Sequence, residues 1–131
     1  MNPTHIEHIG IAVSNLESSI LFYESIFGLK CYKIEEVADQ RVRTAFFMVG
    51  QTKIELLEST DPEGPIGKFI EKKGEGIHHI SLQVDQFGEV IQELKAKGLR
   101  VIEEADTKDF KAAFIHPRNN FGVLTEIIQP K

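Results

Sequence analysis

The sequence predicts an α+β fold made of two tandem βαβββ modules. Three observations lead there: a strand-like run beginning at a histidine occurs twice, a helix-period stripe follows each copy, and three further strand-like runs follow each stripe. Glu7-His8-Ile9-Gly10-Ile11-Ala12-Val13 matches His78-His79-Ile80-Ser81-Leu82-Gln83-Val84, and both alternate with the period of two expected of a strand.

After the first run, Ser14 stands three residues before Glu17, the spacing of a capping box. Leu16, Ile20, Tyr23 and Phe27 then form an apolar stripe that Gly28 ends. Strands are expected near 30–36, 43–49 and 52–58. The segment from Pro65 to Gly74 reads as a short linker helix, with proline at its start and glycine at its stop. In the second half Asp85 is the expected cap, Phe87, Val90, Ile91 and Leu94 the stripe, and Gly98 the stop. Strands follow near 100–103, 111–115 and 122–128. One domain over 1–131 is expected, with module one at 1–60, the linker helix within 61–75 and module two at 76–131.

Composition narrows the function. A chain of 131 residues with 41% hydrophobic content can bury an ordinary core. A formal charge of -5 argues against nucleic acid or an anionic membrane as the main partner. The single cysteine, Cys31, allows no disulfide within the chain. With an N-terminus that lacks an apolar signal region, it leads to the expectation of a cytoplasmic protein.

The pleat then separates candidate ligands from core. Ile9, Ile11 and Val13 share one face of the first strand, with His8, Gly10 and Ala12 on the other. Ile80, Leu82 and Val84 similarly oppose His79, Ser81 and Gln83. The apolar faces should pack under the helices, and the small, polar faces suit a cavity. His8 and His79 are thus equivalent, while His78 belongs to the helix side or the strand end. The two equivalent histidines are 71 residues apart, and so are Glu55 and Glu126. With 20 acids in the chain, about one acid pair at such an offset arises by chance, and Glu35 with Asp106 shares it. Position distinguishes Glu55 and Glu126, because each lies inside the last strand of its module. An ionised carboxylate in mid-strand is costly to bury unless paired or bound to a metal. Imidazole and carboxylate together suit Zn, Co, Ni, Mn or Fe(II). His5 and His116 have no matching partner and are expected to be structural or to line a rim.

These features resemble the vicinal oxygen chelate superfamily and, within it, most of all the methylmalonyl-CoA epimerases. The resemblance covers nearly the whole chain. It rests on His8-Ile-Gly-Ile-Ala-Val13, on Phe22-Tyr23 with Phe27-Gly28-Leu29, and on Gly50-Gln-Thr-Lys-Ile-Glu-Leu-Leu-Glu58. It continues through Ile66 to Ile80, His116-Pro117 and Gly122-Val-Leu-Thr-Glu126. It implies a curved mixed sheet around a cavity that holds one divalent ion (Co, Ni, Zn or Mn) on His8, Glu55, His79 and Glu126. It also implies proton transfer at a carbon α to a carbonyl, with a metal stabilising the charge that develops on oxygen. Glu126 is the first candidate for acid/base and Asp39 the second. The expected substrate is a small acyl-CoA or another chelating thioester-like acid, and the expected assembly a homodimer. Arg41, Arg43, Lys53 and Arg118 are candidates for binding its anionic groups.

Two stretches differ from the epimerase pattern. Glu103–Lys111 is short and lacks the family's Pro/Gly-rich loop, and Asp39-Gln-Arg-Val42 replaces a Glu-Gln-Gly-Val stretch. Alternative activities are a glyoxalase I-type lyase, which uses the same ligand types on a glutathione adduct, and a metal-free drug-binding protein of the same fold. A ring-cleaving dioxygenase needs only two histidines and one carboxylate, so the second acid argues against it.

Overall fold

The computed structural model describes residues 1–131. Its strands and helices run β1 (His5–Ala12), α1 (Leu16–Phe27), β2 (Lys33–Val37), β3 (Val42–Val49), β4 (Thr52–Ser59), α2 (Pro65–Lys73), β5 (Gly76–Gln83), α3 (Phe87–Ala96), β6 (Val101–Asp106), β7 (Phe110–Ile115) and β8 (Thr125–Pro130). Single 3-10 turns lie at Ala38–Gln40 and Pro117–Asn119. The β-α-β-β-β order occurs twice, as the alternation predicts. The strands belong to one eight-stranded sheet with hydrogen-bonding order β2-β3-β4-β1-β5-β8-β7-β6. Two compact units share the chain, one made of Met1–His8 with His79–Lys131 and the other of Ile9–His78. Each division therefore falls inside a strand. No helix is long and apolar enough to cross a membrane.

In the Ile9–His78 unit, β3 pairs antiparallel with both β2 and β4. One face of this hairpin sends Ala45, Phe47 and Leu56 into a core with Val13 and Leu16, flanked by Ile20 and Tyr23 of α1. Burying each large side chain there contributes about 1.5–3 kcal/mol. The helix start differs from the expected Ser14–Glu17 box. Asn15 is the cap, its side-chain oxygen accepting from the Ser18 N–H at 2.9 Å. Ser14 lies one residue outside and donates its N–H to Glu75, while Glu17 turns to Arg43 instead of folding back. The stop at Gly28 is as expected, in the left-handed region at φ 67.

The opposite side of this unit is drier than its small residues suggest. Ala12, on the face expected to line a cavity, is fully buried in an apolar cluster with Val42, Leu57 and Ile66. The linker helix α2 supplies Ile66, and its close approach to the preceding turn depends on Gly67. A Cβ there would lie 2.6 Å from the Pro62 carbonyl oxygen.

In the other unit β5 pairs parallel with β8, β8 antiparallel with β7, and β7 antiparallel with β6. Helix α3 buries Phe87, Val90, Ile91 and Leu94 against Val84, Ala113, Ile115 and Ile127. Its expected Asp85 cap is not used. The cap position is Gln86, which makes no side-chain bond, and the Phe87 N–H donates to Gln129 Oε1 of β8 at 2.9 Å. A neighbouring strand thus satisfies a donor that local sequence leaves open. The second hairpin is also longer than expected. Glu103, at φ 51, accommodates an irregularity between Ile102 and Ala105, after which Ala105 and Asp106 pair with Ala112 and Lys111.

Candidate metal centre

Strand register in the Met1–His8/His79–Lys131 unit decides which side chains meet. Ser81 is the pairing partner of Glu126, and Glu126 that of Phe114. Side chains at paired positions share a face, so Ser81, Glu126 and Phe114 stand opposite the face covered by α3. His79, two residues before Ser81, joins them, its ring meeting that of Phe114 edge to face at 5.9 Å. His8 comes from β1. His8, His79 and Glu126 are only 7%, 9% and 8% exposed.

Their ligand atoms converge. His8 Nε2 lies 3.0 Å from His79 Nε2 and 3.2 Å from Glu126 Oε1. One ligand atom from each residue fits within a 4.8 Å group. Two ligand atoms each about 2.1 Å from one ion, at right angles to one another, would lie about 3 Å apart, so the spacing fits a transition-metal ion. The contact between Glu126 Oε1 and the His8 ring lacks hydrogen-bond geometry, which leaves that buried oxygen without a hydrogen-bond partner. Ser81 Oγ is similarly buried and unpartnered on the same face. Orphaned buried polar atoms are rare, and here one belongs to a carboxylate beside two imidazoles. These residues fit a bound divalent ion.

The adjacent residue Glu7 was not singled out by the sequence. Its Oε1 lies within hydrogen-bond distance of His8 Nδ1, at 2.6 Å, and Glu7 is itself 8% exposed. Strand alternation assigns it to the opposite face from His8, so periodicity hides it; an acid directly beside a candidate ligand was the only available signal.

His78 behaves as its face predicts. Its ring packs edge to face on Phe69 of α2, with centroids 4.9 Å apart. Burial, aided by the charge of Lys73, holds it below the usual histidine range and so favours the neutral ring. His5 Nδ1 contacts Thr4 Oγ1, and His116 Nδ1 accepts from the Arg118 N–H at the 3-10 turn it precedes, so both have structural partners.

Glu55 lies in the other unit, on β4, half-buried and paired in register with Phe46. Asp39 is exposed on the 3-10 turn between β2 and β3. Two of the proposed anion binders are engaged elsewhere. Arg43 bridges Glu17 at 2.7 Å and Glu58 at 3.0 Å, and Arg41 pairs with Asp61 at 3.2 Å.

A doubled βαβββ chain with two imidazoles and a carboxylate gathered in one buried cluster defines a fold class with ligand groups that could hold a cation. The chain belongs to the Glyoxalase/Bleomycin resistance protein/Dioxygenase superfamily, whose family model matches residues 5–127. It is 38% identical to a Bacillus subtilis protein, YqjC, described as uncharacterized, over 96% of this chain and 92% of that one. It is 33% identical to the human mitochondrial methylmalonyl-CoA epimerase, over 98% of this chain and 75% of the human protein. A crystal structure of a Streptomyces coelicolor methylmalonyl-CoA epimerase variant in complex with 2-nitronate-propionyl-CoA superposes with a TM-score of 0.89 at 31% identity, covering 98% and 95% of the two chains. The chain is therefore related to enzymes that act on methylmalonyl-CoA.

Proposed function

We propose that this protein is a divalent-metal-dependent epimerase that moves the proton α to the carbonyl of a small acyl thioester, with methylmalonyl-CoA as the leading substrate. The observation that carries this reading is the convergence of His8 Nε2, His79 Nε2 and the unpartnered Glu126 Oε1 in one buried cluster. His8, His79 and Glu126 would hold the ion, with Glu55 as the fourth ligand. The ion, one of Co, Ni, Zn or Mn, would supply positive charge to oxygens of a chelating substrate as negative charge develops there.

The remaining work falls to side chains. His8 Nε2 and His79 Nε2 would each supply a lone pair to the ion once it displaces the proton they share at 3.0 Å. Glu126, ligating through one carboxylate oxygen, is the first candidate to take up the α-proton on the oxygen the ion leaves free. Removing and returning that proton on opposite faces of the carbon requires a second acid/base, for which Asp39 is the candidate. Phe114 is the pairing partner of Glu126, which is only 8% exposed, so little water reaches the carboxylate and charge interactions there are stronger.

The test is incubation with methylmalonyl-CoA in deuterated water, with added Co²⁺, Ni²⁺, Mn²⁺ or Zn²⁺. The expected result is metal-dependent deuterium at the α-carbon, read by mass spectrometry, and its loss in His79→Ala. No uptake, with clear conversion of the methylglyoxal–glutathione adduct, would replace the epimerase reading with that of a glyoxalase I-type lyase.

A further inference from the structure

We propose that Glu7 is a positioning residue for the metal centre: its carboxylate fixes His8 in the Nδ1–H tautomer and so aims an unprotonated Nε2 at His79 and Glu126. This rests on the reading of that cluster as a metal centre.

The argument starts from what each group can donate. An ionised carboxylate can only accept, so the 2.6 Å contact between Glu7 Oε1 and His8 Nδ1 places the proton on Nδ1. A neutral imidazole has one N–H, so its lone pair is then on Nε2. Nε2 is the atom 3.0 Å from His79 Nε2 and 3.2 Å from Glu126 Oε1. The opposite tautomer would put an N–H there, occupying the position with a proton and offering it to Glu126.

Burial makes the contact strong. The side chains of His8 and Glu7 are 9% and 10% exposed, so little water competes for the bond. A carboxylate on the far nitrogen also makes the near one a better electron donor. Partners of this kind change metal affinity by about 10–100-fold. Glu7 touches neither substrate nor ion in this scheme and acts through the ring of His8.

The experiment begins with the metal-free wild-type chain, ¹⁵N-labelled, at a pH where the His8 ring is neutral. Two-bond ¹H–¹⁵N spectra distinguish the tautomers. Wild type and Glu7→Gln should show Nδ1–H, because an amide oxygen can still accept, whereas Glu7→Ala should move toward Nε2–H. In Zn²⁺ or Co²⁺ titrations with a competing chelator, Glu7→Ala should bind about 10–100-fold more weakly and Glu7→Gln by a smaller factor. Nε2–H in the wild type overturns the proposal and needs no variant to fold. A folded Glu7→Ala with unchanged tautomer and unchanged affinity also overturns it. If wild type takes up no divalent metal, the metal-centre reading itself fails; normal wild-type binding with an unmoved tautomer in Glu7→Ala removes only the role of Glu7.

Discussion

Each of the two units sets a carboxylate opposite a phenylalanine on an antiparallel pair: Glu126 faces Phe114 and Glu55 faces Phe46. Their surroundings diverge. Glu126 is 8% exposed, has two imidazoles beside it, and has one oxygen with no hydrogen-bond partner. Glu55 is half-buried, with Lys53 two residues away on its own face. Duplication of the βαβββ unit thus repeats a carboxylate opposite a phenylalanine, and the two copies differ in how deeply that carboxylate is buried.

The sharpest way to break this comparison is to neutralise each acid. Glu126→Gln should cut the rate of deuterium uptake by about 10²–10⁴-fold, the usual worth of a general acid or base, while circular dichroism stays unchanged. Glu55→Gln should retain most turnover and still bind metal, because an amide oxygen can ligate. Equal losses in the two variants would erase the distinction, and near-normal rates in Glu126→Gln would make Asp39 the principal base.

A smaller effect separates the helices of the two units. Helix α3 buries Phe87, Val90, Ile91 and Leu94, whereas α1 buries only Leu16 and leaves Leu21 66% exposed. Urea denaturation should show Leu94→Ala losing about 2–5 kcal/mol. Leu21→Ser should change stability by less than about 0.5 kcal/mol. A large loss from Leu21→Ser would mean that the exposed side of α1 is covered in solution.

The smallest effect concerns the neighbouring histidines. His78→Ala should remove the stack on Phe69, lowering stability by about 0.5–1.5 kcal/mol, and should retain full metal content by elemental analysis. Metal loss there would contradict the assignment of the two rings to opposite faces.

Much of this was legible in residue order, for a local reason. Strand and helix periods are set by backbone geometry, so alternation around Ile9 and Ile80 and the stripe from Phe87 to Leu94 report their faces directly. The same parity distinguishes His79 from His78. Helix starts were less legible. The Ser14 and Asp85 expectations failed because capping depends on where the first free N–H points, and at α3 the acceptor comes from Gln129, distant in sequence.

The site divides along the same line. By itself the sequence determined the doubled βαβββ order and set His8 with His79, and Glu55 with Glu126, at one common spacing of 71 residues, since a repeat preserves spacing. It did not reveal the paired phenylalanines. Phe46 precedes Glu55 by nine residues and Phe114 precedes Glu126 by twelve, because a longer connection joins β7 to β8. Only tertiary structure decided that His8, His79 and Glu126 meet, that Glu7 bonds His8, and that α2 closes over Ala12. Those contacts join side chains from different strands and helices at distances of a few ångströms, and no local period of the chain encodes such distances.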